Sequence, residues 1–523
     1  MKYSAMTLMP LLCSFFVVSA CPLRAQDGVL DPTFDGDGRV TTTLGVFDDV
    51  AQAIGLQEDG KIVVAGKTYL VDRYAFFVAR YLPNGTLDPS FGLDGVTVTP
   101  IGTGNALAHS LAIQPNGAIV VCGVSTVDGR EMMSLARYVA KTGQLDPSFG
   151  DGGIVVTPVG SGWSSGRGVA IQPNGTIVAV GYAQVGSDAH FAIVRYDRFG
   201  VPDPTFGEAG VVTTSFGPGT DIANAVYVIN DDAILVVGTS EPNGVNADAV
   251  LARYKGSGAL DGAFGVNGMK RIERTGTFDE YGNAVVVTPE GSIVIATSSN
   301  NRFEDLVAIR LAPDGTPDPG FGLGGVASTD IGPIVEVGEA SSVFVQPDGK
   351  VVTSGLRTSG SEVSFGLVRY NINGTIDETF GDSGTITTRF GSSSDEIFAS
   401  ILQPDGKILV AGGSHDGTQS RIALARYNNP SVSGPSTVHD SHERTIVVSP
   451  NPATTLVKVQ LNSPLANPEI KLLDLMGERG QVHTTIDGVL VTVNTTNLAP
   501  GTYLLHIADA DGIVATSPVV IVR

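Results

Sequence analysis

The sequence predicts an all-β fold: a seven-bladed β-propeller with four strands per blade, followed by a small Ig-like β-sandwich. Three observations predict it. A nine-residue phrase returns seven times, as LDPTFDGDG from Leu30, LDPSFGLDG from Leu87, LDPSFGDGG from Leu145, PDPTFGEAG from Pro202, LDGAFGVNG from Leu260, PDPGFGLGG from Pro317 and IDETFGDSG from Ile376. Its aspartates, Asp31, Asp88, Asp146, Asp203, Asp261, Asp318 and Asp377, are 57, 58, 57, 58, 57 and 59 residues apart, a period that marks a repeat architecture. Each repeat holds four strand-length runs rich in Val, Ile and Thr, separated by turn residues, and helical periodicity is nearly absent.

Residues 96–150 serve as a sample repeat. The run VTVTP follows Asp94-Gly95, and a variable loop leads to LAIQ. The turn PNG and the run AIVVCG come next, then a second variable loop and SLARYV, and TGQLDPSFGDGG connects onward. The hairpin between the second and third runs carries Asp59-Gly60, Asn116-Gly117, Asn174-Gly175, Glu290-Gly291, Asp348-Gly349 or Asp405-Gly406. Glycine there supplies the positive φ that tight hairpins need. The fourth copy has Asp231-Asp232 instead, so its turn is expected to differ. Each blade is expected to run from the AxAIQ strand near the axis to the VTT strand at the rim. All seven copies look alike and none resembles a cap, which favours a ring over an open solenoid. The N-terminal strand from Arg39 to Leu44 would close the last blade, whose other strands end at RIALARYN.

Identical positions read as structural. Arg80, Arg137, Arg195, Arg253, Arg310, Arg369 and Arg426 recur in every unit, as do Phe34, Phe91, Phe149, Phe206, Phe264, Phe321 and Phe380. Every arginine but the last precedes a signature aspartate by eight or nine residues, as Arg80 precedes Asp88 and Arg137 precedes Asp146. Guanidinium and carboxylate would brace the connection, and the phenylalanine would fill the gap between blades. Cys122, in VVCGV, reads as a small core residue; Cys13 and Cys21 fall in the leader, so no intramolecular disulfide staples the fold.

The differing positions read as functional. The tight hairpin and the signature connection share one side of a blade, which leaves the two variable loops on the other. Trp163, Arg167, Asp279, Tyr281, Arg302, Asp305 and His415 fall in those loops and are the candidate ligand-binding residues, with Trp163 a candidate platform for a sugar ring. Asp48, Glu280 and Asp395 add carboxylates that could pair for acid–base chemistry.

Composition narrows partners. The net charge of −21 argues against nucleic acid and anionic membranes, both of which need a basic face. No serine-nucleophile elbow, HExxH helix or phosphate-cradling loop occurs, and the seven histidines lack metal-ligand spacing. A calcium site in the glycine-aspartate turns would need converging carboxylates. Asp35 and Asp37 supply two, but Leu323-Gly324-Gly325 supplies none, so no cofactor is expected. Residues 1–25 have the form of a signal peptide, with Lys2, an apolar run from Leu8 to Ala20 and a cleavage site at Leu23-Arg24-Ala25. Val18-Ser19-Ala20-Cys21 offers the alternative of a lipoprotein anchored through Cys21.

The domain boundaries follow: the propeller spans 26–428, a polar Pro/Ser/Gly linker 429–444, and a strand-rich tail 445–523. The tail carries Ser449-Pro450-Asn451-Pro452, Leu473-Asp474-Leu475-Met476-Gly477, Leu498-Ala499-Pro500-Gly501-Thr502-Tyr503 and a hydrophobic-basic end from Val519 to Arg523. In these it resembles the type A sorting domain of the bacterial type IX secretion system, with Pro450, Asn451, Pro452, Pro500, Gly501 and Tyr503 as the sorting motif. The resemblance implies export across the outer membrane by the secretion machinery, then release or surface attachment. The phrase FALARYxxxGxLDPSFGxxGxVTT resembles the delta-60 repeat, a bacterial β-propeller-like family that implies no defined activity. The expectation is therefore an exported, non-enzymatic binding or adhesion module with a glycan or protein ligand. The alternative is a secreted polysaccharide-active enzyme, a hydrolase or lyase, using carboxylates of the variable-loop face.

Overall fold

Each repeat alternates β-branched runs with glycine turns, and each folds as a four-stranded antiparallel group. The structure is a computed structural model that describes residues 27–429 apart from 243–245, 273–278, 300–304, 330–337, 360–361 and 392, and in the tail 447–449, 456–460, 469–473, 483–487, 490–496, 498, 501–509 and 512–521. The signal peptide, Cys21, Arg302, the linker from 430 and the sorting residues Pro450, Asn451, Pro452 and Pro500 lie outside the described residues. The chain divides into two units, Met1–Gly434 and Pro435–Arg523. The fold is all-β and propeller-like, with no helix among the described residues.

Unit 1 comprises Asp49–Leu56, Ile62–Tyr69, Tyr74–Tyr81 and Val96–Thr99, hydrogen-bonded in that order. Units 2 to 6 repeat the order from first strands Ala106–Ile113, Ser164–Ile171, Gly219–Asn230, Glu280–Val287 and Gly338–Val345. Unit 7 begins at Ser394–Leu402, and its fourth strand is Arg39–Thr42, paired antiparallel with Ser420–Tyr427 through Arg39↔Ala425 to Thr42↔Ile422. The hairpin glycines adopt the left-handed region, for example Gly60 at φ 79° and Gly117 at φ 81°. In the fourth unit, Asp231 and Asp232 sit in a tighter turn between longer strands, because the ladder shifts register between Val228 and Asn230.

The core lies between units. One apolar cluster packs each unit on the next, and one joins units 7 and 1: Leu409, Ala411, Ile422 and Leu424 meet Ile62, Val64, Phe77 and Tyr81. Second and third strands are sandwiched on both faces, so they read as continuous apolar runs such as IVVCGV, without alternation. Cys122 is a free, fully buried thiol of this core, and burial pushes its pKa up to about 12.

The repeated arginines do more than brace their own connection. Each forms an ion pair with a signature aspartate at 2.6–2.9 Å, from Arg80 with Asp88 to Arg369 with Asp377, and Arg426 with Asp31 at 2.7 Å. Each guanidinium also stacks on a signature phenylalanine, with Arg80 4.5 Å from the Phe91 centroid and Arg426 4.7 Å from that of Phe34. A further N–H reaches into the next unit. Arg80 donates to Ala140 O, Arg137 to Arg198 O, Arg195 to Gly256 O, Arg253 to Pro313 O, Arg310 to Ile372 O and Arg369 to Asn429 Oδ1. Arg426 of unit 7 donates to Pro83 O of unit 1. Tyrosines tie the outer edges: Tyr138 Oη donates to Thr99 Oγ1 at 2.9 Å, and Tyr81 Oη to Thr42 Oγ1 at 2.9 Å.

Every first strand carries a bulge at one place, and in six of the seven units a crowded glycine lies across the ladder from it. In unit 2 it falls between Ala108 and Ser110, opposite Gly123. A Cβ on Gly123 would stand 2.0 Å from Leu107 O. Gly66, Gly181, Gly238, Gly355 and Gly412 are equally crowded, whereas in unit 5 Thr297 stands opposite Gly282. Gly123→Ala should cost about 1–3 kcal/mol, as overpacking of a tight core does, measured by denaturant unfolding. An unchanged midpoint would show that the bulge relaxes.

In the tail, Val447–Ser449, Leu456–Gln460, Leu490–Asn494 and His483–Asp487 form one antiparallel sheet, and Glu469–Leu473, Gly501–Asp509 and Gly512–Ile521 another. Val491, Val493, Tyr503 and Leu505 are buried. Gly501 and Tyr503 thus lie on a strand, paired with Ile521 and Val519.

Candidate functional site: the variable-loop face

The strand order puts the glycine hairpin between first and second strands and the signature connection between third and fourth strands at one end of each unit. The turn between second and third strands and the loop to the next unit lie at the other end. At that variable end the loops are anchored by buried acids that begin the first strands. Asp49 Oδ2 accepts from Leu44 N at 2.7 Å, Asp221 Oδ2 from Phe216 N at 2.9 Å and Asp395 Oδ2 from Phe390 N at 3.0 Å. Asp395, one of the carboxylates considered for acid–base pairing, is fully buried and serves as such an anchor. A loop closed by a short acid needs an acceptor for its orphan N–H groups, and the carboxylate supplies it. Asp48 accepts from Ser420 N at 2.7 Å, joining units 7 and 1, and Asp279 accepts from Ala247 N at 2.9 Å, joining units 4 and 5.

Of the candidate residues, Trp163 and Arg167 come together. Trp163, 38% exposed, packs edge-on against Tyr182 with centroids 5.3 Å apart, and the Arg167 guanidinium lies 5.6 Å from the same ring. Arg167 is the bulged residue of its strand, and His109 occupies the same position in unit 2. Lys67, from the second strand of unit 1, lies 5.4 Å from the Tyr74 ring. Tyr74 packs on Tyr69, and Tyr69 on Phe47, at 4.8 and 5.2 Å. His109 is pushed down to about 3 by burial, then by the Arg167 and Lys67 charges, so it is neutral at physiological pH.

The other half of the face is acidic. Tyr281, 40% exposed, has its phenol pushed up by partial burial and by Asp279, Glu241 and Glu339. The Glu339 carboxyl is raised by burial and by Glu396. Asp279 and Tyr281 therefore share a site with two glutamates that sequence reasoning missed. His415 stands apart in unit 7, where its Nδ1 accepts from Gly417 N at 3.1 Å and contacts Ser393 Oγ at 3.2 Å. Asp305 begins the third strand of unit 5, paired with Thr329.

Lys67 and His109 also escaped the sequence reading. The bulge positions Gln52, His109, Arg167, Asn224, Asn283, Ser341 and Phe398 carry the signal that could have found His109: one fixed repeat position holding six residue types in seven copies. In units 4 to 6 this residue bridges to the next unit, as Asn224 Nδ2 donates to Gly282 O at 2.9 Å, Asn283 Nδ2 to Ala340 O at 2.9 Å and Ser341 Oγ to Ile397 O at 2.7 Å.

The hairpin face is not featureless. Cavities of about 830 and about 650 Å³ flank the unit 1 hairpin, sharing Gln57 and Glu58. Here Glu58 replaces the proline found at Pro115, Pro173, Pro289, Pro347 and Pro404.

The titrations combine into an acid lability. The ordinary histidine pKa is 6.5, so between pH 6.5 and about 3 the unfolded chain binds a proton that folded His109 does not, and stability falls as pH drops through that window. The brace aspartates are all lowered. In Asp31, Asp88, Asp146, Asp203 and Asp377 burial opposes the shift but is outweighed by donors two residues on and by the guanidinium; in Asp261 and Asp318 a backbone N–H leads. Their contribution is present above the ordinary value of 3.8 and lost below it, reaching about 2 for Asp377. Unfolding measured against pH should therefore be flat from 6.5 up to the ordinary thiol value of 9.0, above which buried Cys122 begins to lower stability, and on the acid side it should decline toward 4 and then fall steeply. His109→Gln should remove the first decline only, and an unaltered profile would show that His109 is charged in the fold.

Two family profiles match the chain. One is described as a domain of unknown function (DUF5122) beta-propeller and matches residues 57–91, 114–149, 172–206, 288–321, 346–380 and 403–429. The other, described as a secretion system C-terminal sorting domain, matches 447–522. No curated protein matches. Among solved structures, the chain is similar to a catalytically inactive virginiamycin B lyase from Staphylococcus aureus with quinupristin, at 12% identity and TM-score 0.43, covering 74% of this chain and 98% of that one. It is also similar to polysaccharide lyase Uly1, at 12% and 0.43, covering 72% and 90%. A protein of unknown function from Dyadobacter fermentans is similar at 14% and 0.39, covering 75% and 98%.

Proposed function

Because this chain carries DUF5122 β-propeller repeats followed by a secretion system C-terminal sorting domain, we propose that it is an exported propeller whose seven blades close into a ring and present a non-catalytic binding face outside the cell. The sorting domain marks the chain for type IX export. Closure into seven blades is supported by the Arg39–Thr42 ladder and by arginine bonds that pass from each unit to the next and from unit 7 to unit 1. The two antiparallel sheets of the tail support an Ig-like sandwich.

The observation that carries the binding reading is the contrast between ends of the blades. One end repeats the same ion pairs in every unit, while the other differs in every loop and exposes Phe47, Trp163 and Tyr281. A rigid scaffold with variable loops is the arrangement of a recognition surface. Several of its carboxylates are held as loop anchors, which leaves fewer for chemistry.

One observation favours the enzyme reading. Glu339 is raised by burial and by the neighbouring Glu396 charge, and a carboxyl raised in this way is a feature that acid–base catalysis employs. Screening the purified chain on a glycan array and for polysaccharide turnover separates the readings. Binding without turnover is expected, and turnover abolished by Glu339→Gln would overturn the non-catalytic reading. For the export route, deletion of 445–523 in a type IX-competent host should strand the protein in the periplasm; undiminished arrival in the medium would refute it.

A further inference from the structure

Resting on the reading of the variable-loop face as a binding surface, we propose that units 1 to 3 of that face form a site for an acidic glycan, with Lys67 and Arg167 pairing its carboxylates, Tyr74, Tyr182 and Trp163 stacking on its rings and His109 bonding its hydroxyls.

The first observation concerns charge. This chain carries a net charge of −21, and its repeated arginines are all neutralised by aspartates. Lys67 and Arg167 are exceptions: among the described residues, neither has a carboxylate within ion-pair distance. His109 and Arg167 hold the same bulge position in neighbouring first strands, Lys67 stands across the ladder beside the bulge of unit 1, and both charges act on His109, so the two converge on one region. Arg167 Nε is also buried with no acceptor, a state it shares with the Nε of Arg73, Arg357 and Arg421, and it is therefore open to one. An incoming carboxylate supplies both the charge and the acceptor, in the bidentate geometry that guanidinium favours. Asp48, which acts on the Tyr74 phenol, is a nearby carboxylate and accepts from Ser420 N at 2.7 Å; more remote carboxylates do little to oppose binding, because screening limits their reach to about 8 Å at physiological salt.

The second observation concerns shape. Each cation lies over a ring, Lys67 over Tyr74 and Arg167 over Tyr182, and each ring is backed by another aromatic. Half-buried tyrosine rings beside a cation, with the exposed Trp163 next to one of them, suit a pyranose, which has an apolar C–H face and, in a uronate, a carboxylate at its edge. An acidic peptide would use the cations but has no need of the rings. Neutral His109 keeps one acceptor and one donor nitrogen for hydroxyl groups. The opposite half, with Glu241, Asp279, Glu339 and Glu396, would repel the same polymer and confine it to units 1 to 3.

The test uses the full chain in titration calorimetry with polygalacturonate, its methyl ester and polyglutamate, at low and physiological salt. Polygalacturonate should bind, weaken with salt and exceed its methyl ester by at least about tenfold. Arg167→Gln and Lys67→Gln should each weaken it by about tenfold or more, the effect of one charge-assisted bond. Lys255→Gln, at the opposite end of unit 4, should change nothing. If Arg167→Gln fails to fold, judged by its melting curve, Lys67→Gln carries the test. Equal binding of ester and acid would overturn the acidic specificity while leaving the binding face intact. Equal or tighter binding of polyglutamate would replace the glycan with an acidic peptide. Binding of neither acid polymer, with neutral glycans still retained on an array, would overturn this inference alone; silence on the array as well would take the binding reading with it.

Discussion

Removing residues 27–44 from the mature chain should abolish cooperative folding of the repeat array. The segment supplies the fourth strand of unit 7, so its loss bares the edge of Ser420–Tyr427. It takes away Phe34 and Val40, both buried in the core shared by units 7 and 1. It also deletes Asp31 and so leaves Arg426 without its carboxylate. Loss of a buried phenylalanine costs about 3–5 kcal/mol, and an abandoned buried charge costs a similar amount. Their sum rivals the whole stability of a typical domain, about 5–15 kcal/mol. The expected result is soluble aggregate or loss of the unfolding transition, read by size exclusion and denaturant titration. A truncated chain that melts like the parent would mean that the last unit stands without its N-terminal strand, and closure of the ring would fall with that result.

Arg369→Ala should destabilise far more than the same change at Arg310. Arg369 is fully buried, holds Asp377 at 2.6 Å and Asp27 at 2.7 Å, and donates to Asn429 Oδ1 at 2.6 Å. Truncation would take the guanidinium from two nearly buried carboxylates at the junction of units 6 and 7, leaving Asp377 to Lys350 at 2.9 Å. A cost of about 3–5 kcal/mol follows from breaking a buried pair on one side. Arg310 makes the same kind of pair with Asp318, but its side chain is 14% and that of Asp318 27% exposed, so water can take over part of the loss. There the expected cost is about 1–2 kcal/mol, near that of a charged hydrogen bond. Equal losses at the two sites would show that the arginines act through packing on phenylalanine, since Phe380 and Phe321 are stacked alike at 4.5 Å.

Much of the architecture was legible because its interactions are short in sequence or repeated. Arg80 and Asp88 lie eight residues apart, and the hairpin at Gly60 is decided by four residues, so their roles could be read from one copy and checked against six more. Trp163 and Arg167 were found for the same reason: they are neighbours in one loop and strand. The remainder of the site was not legible. Lys67, His109 and Arg167 come from three units, more than forty residues apart in each step, and no local pattern announces that they converge. The anchoring role of Asp395 was not legible, because an exposed acid and a loop-anchoring acid look the same in a sequence; only the Phe390 N–H directed at it tells them apart.

The period, the strands, the turns and the residues that every unit shares were all readable from residue order, because each depends on backbone preference or on a partner within one repeat. Which unshared residues meet is settled only by the docking of whole units. Arg80 finds its acceptor at Ala140 and Arg426 finds its own at Pro83 across such junctions, and docking also brings Lys67 and Arg167 within electrostatic reach of His109. Contacts between units depend on the angle at which one sheet packs on the next, and that angle is a property of the assembled core, which no single repeat encodes.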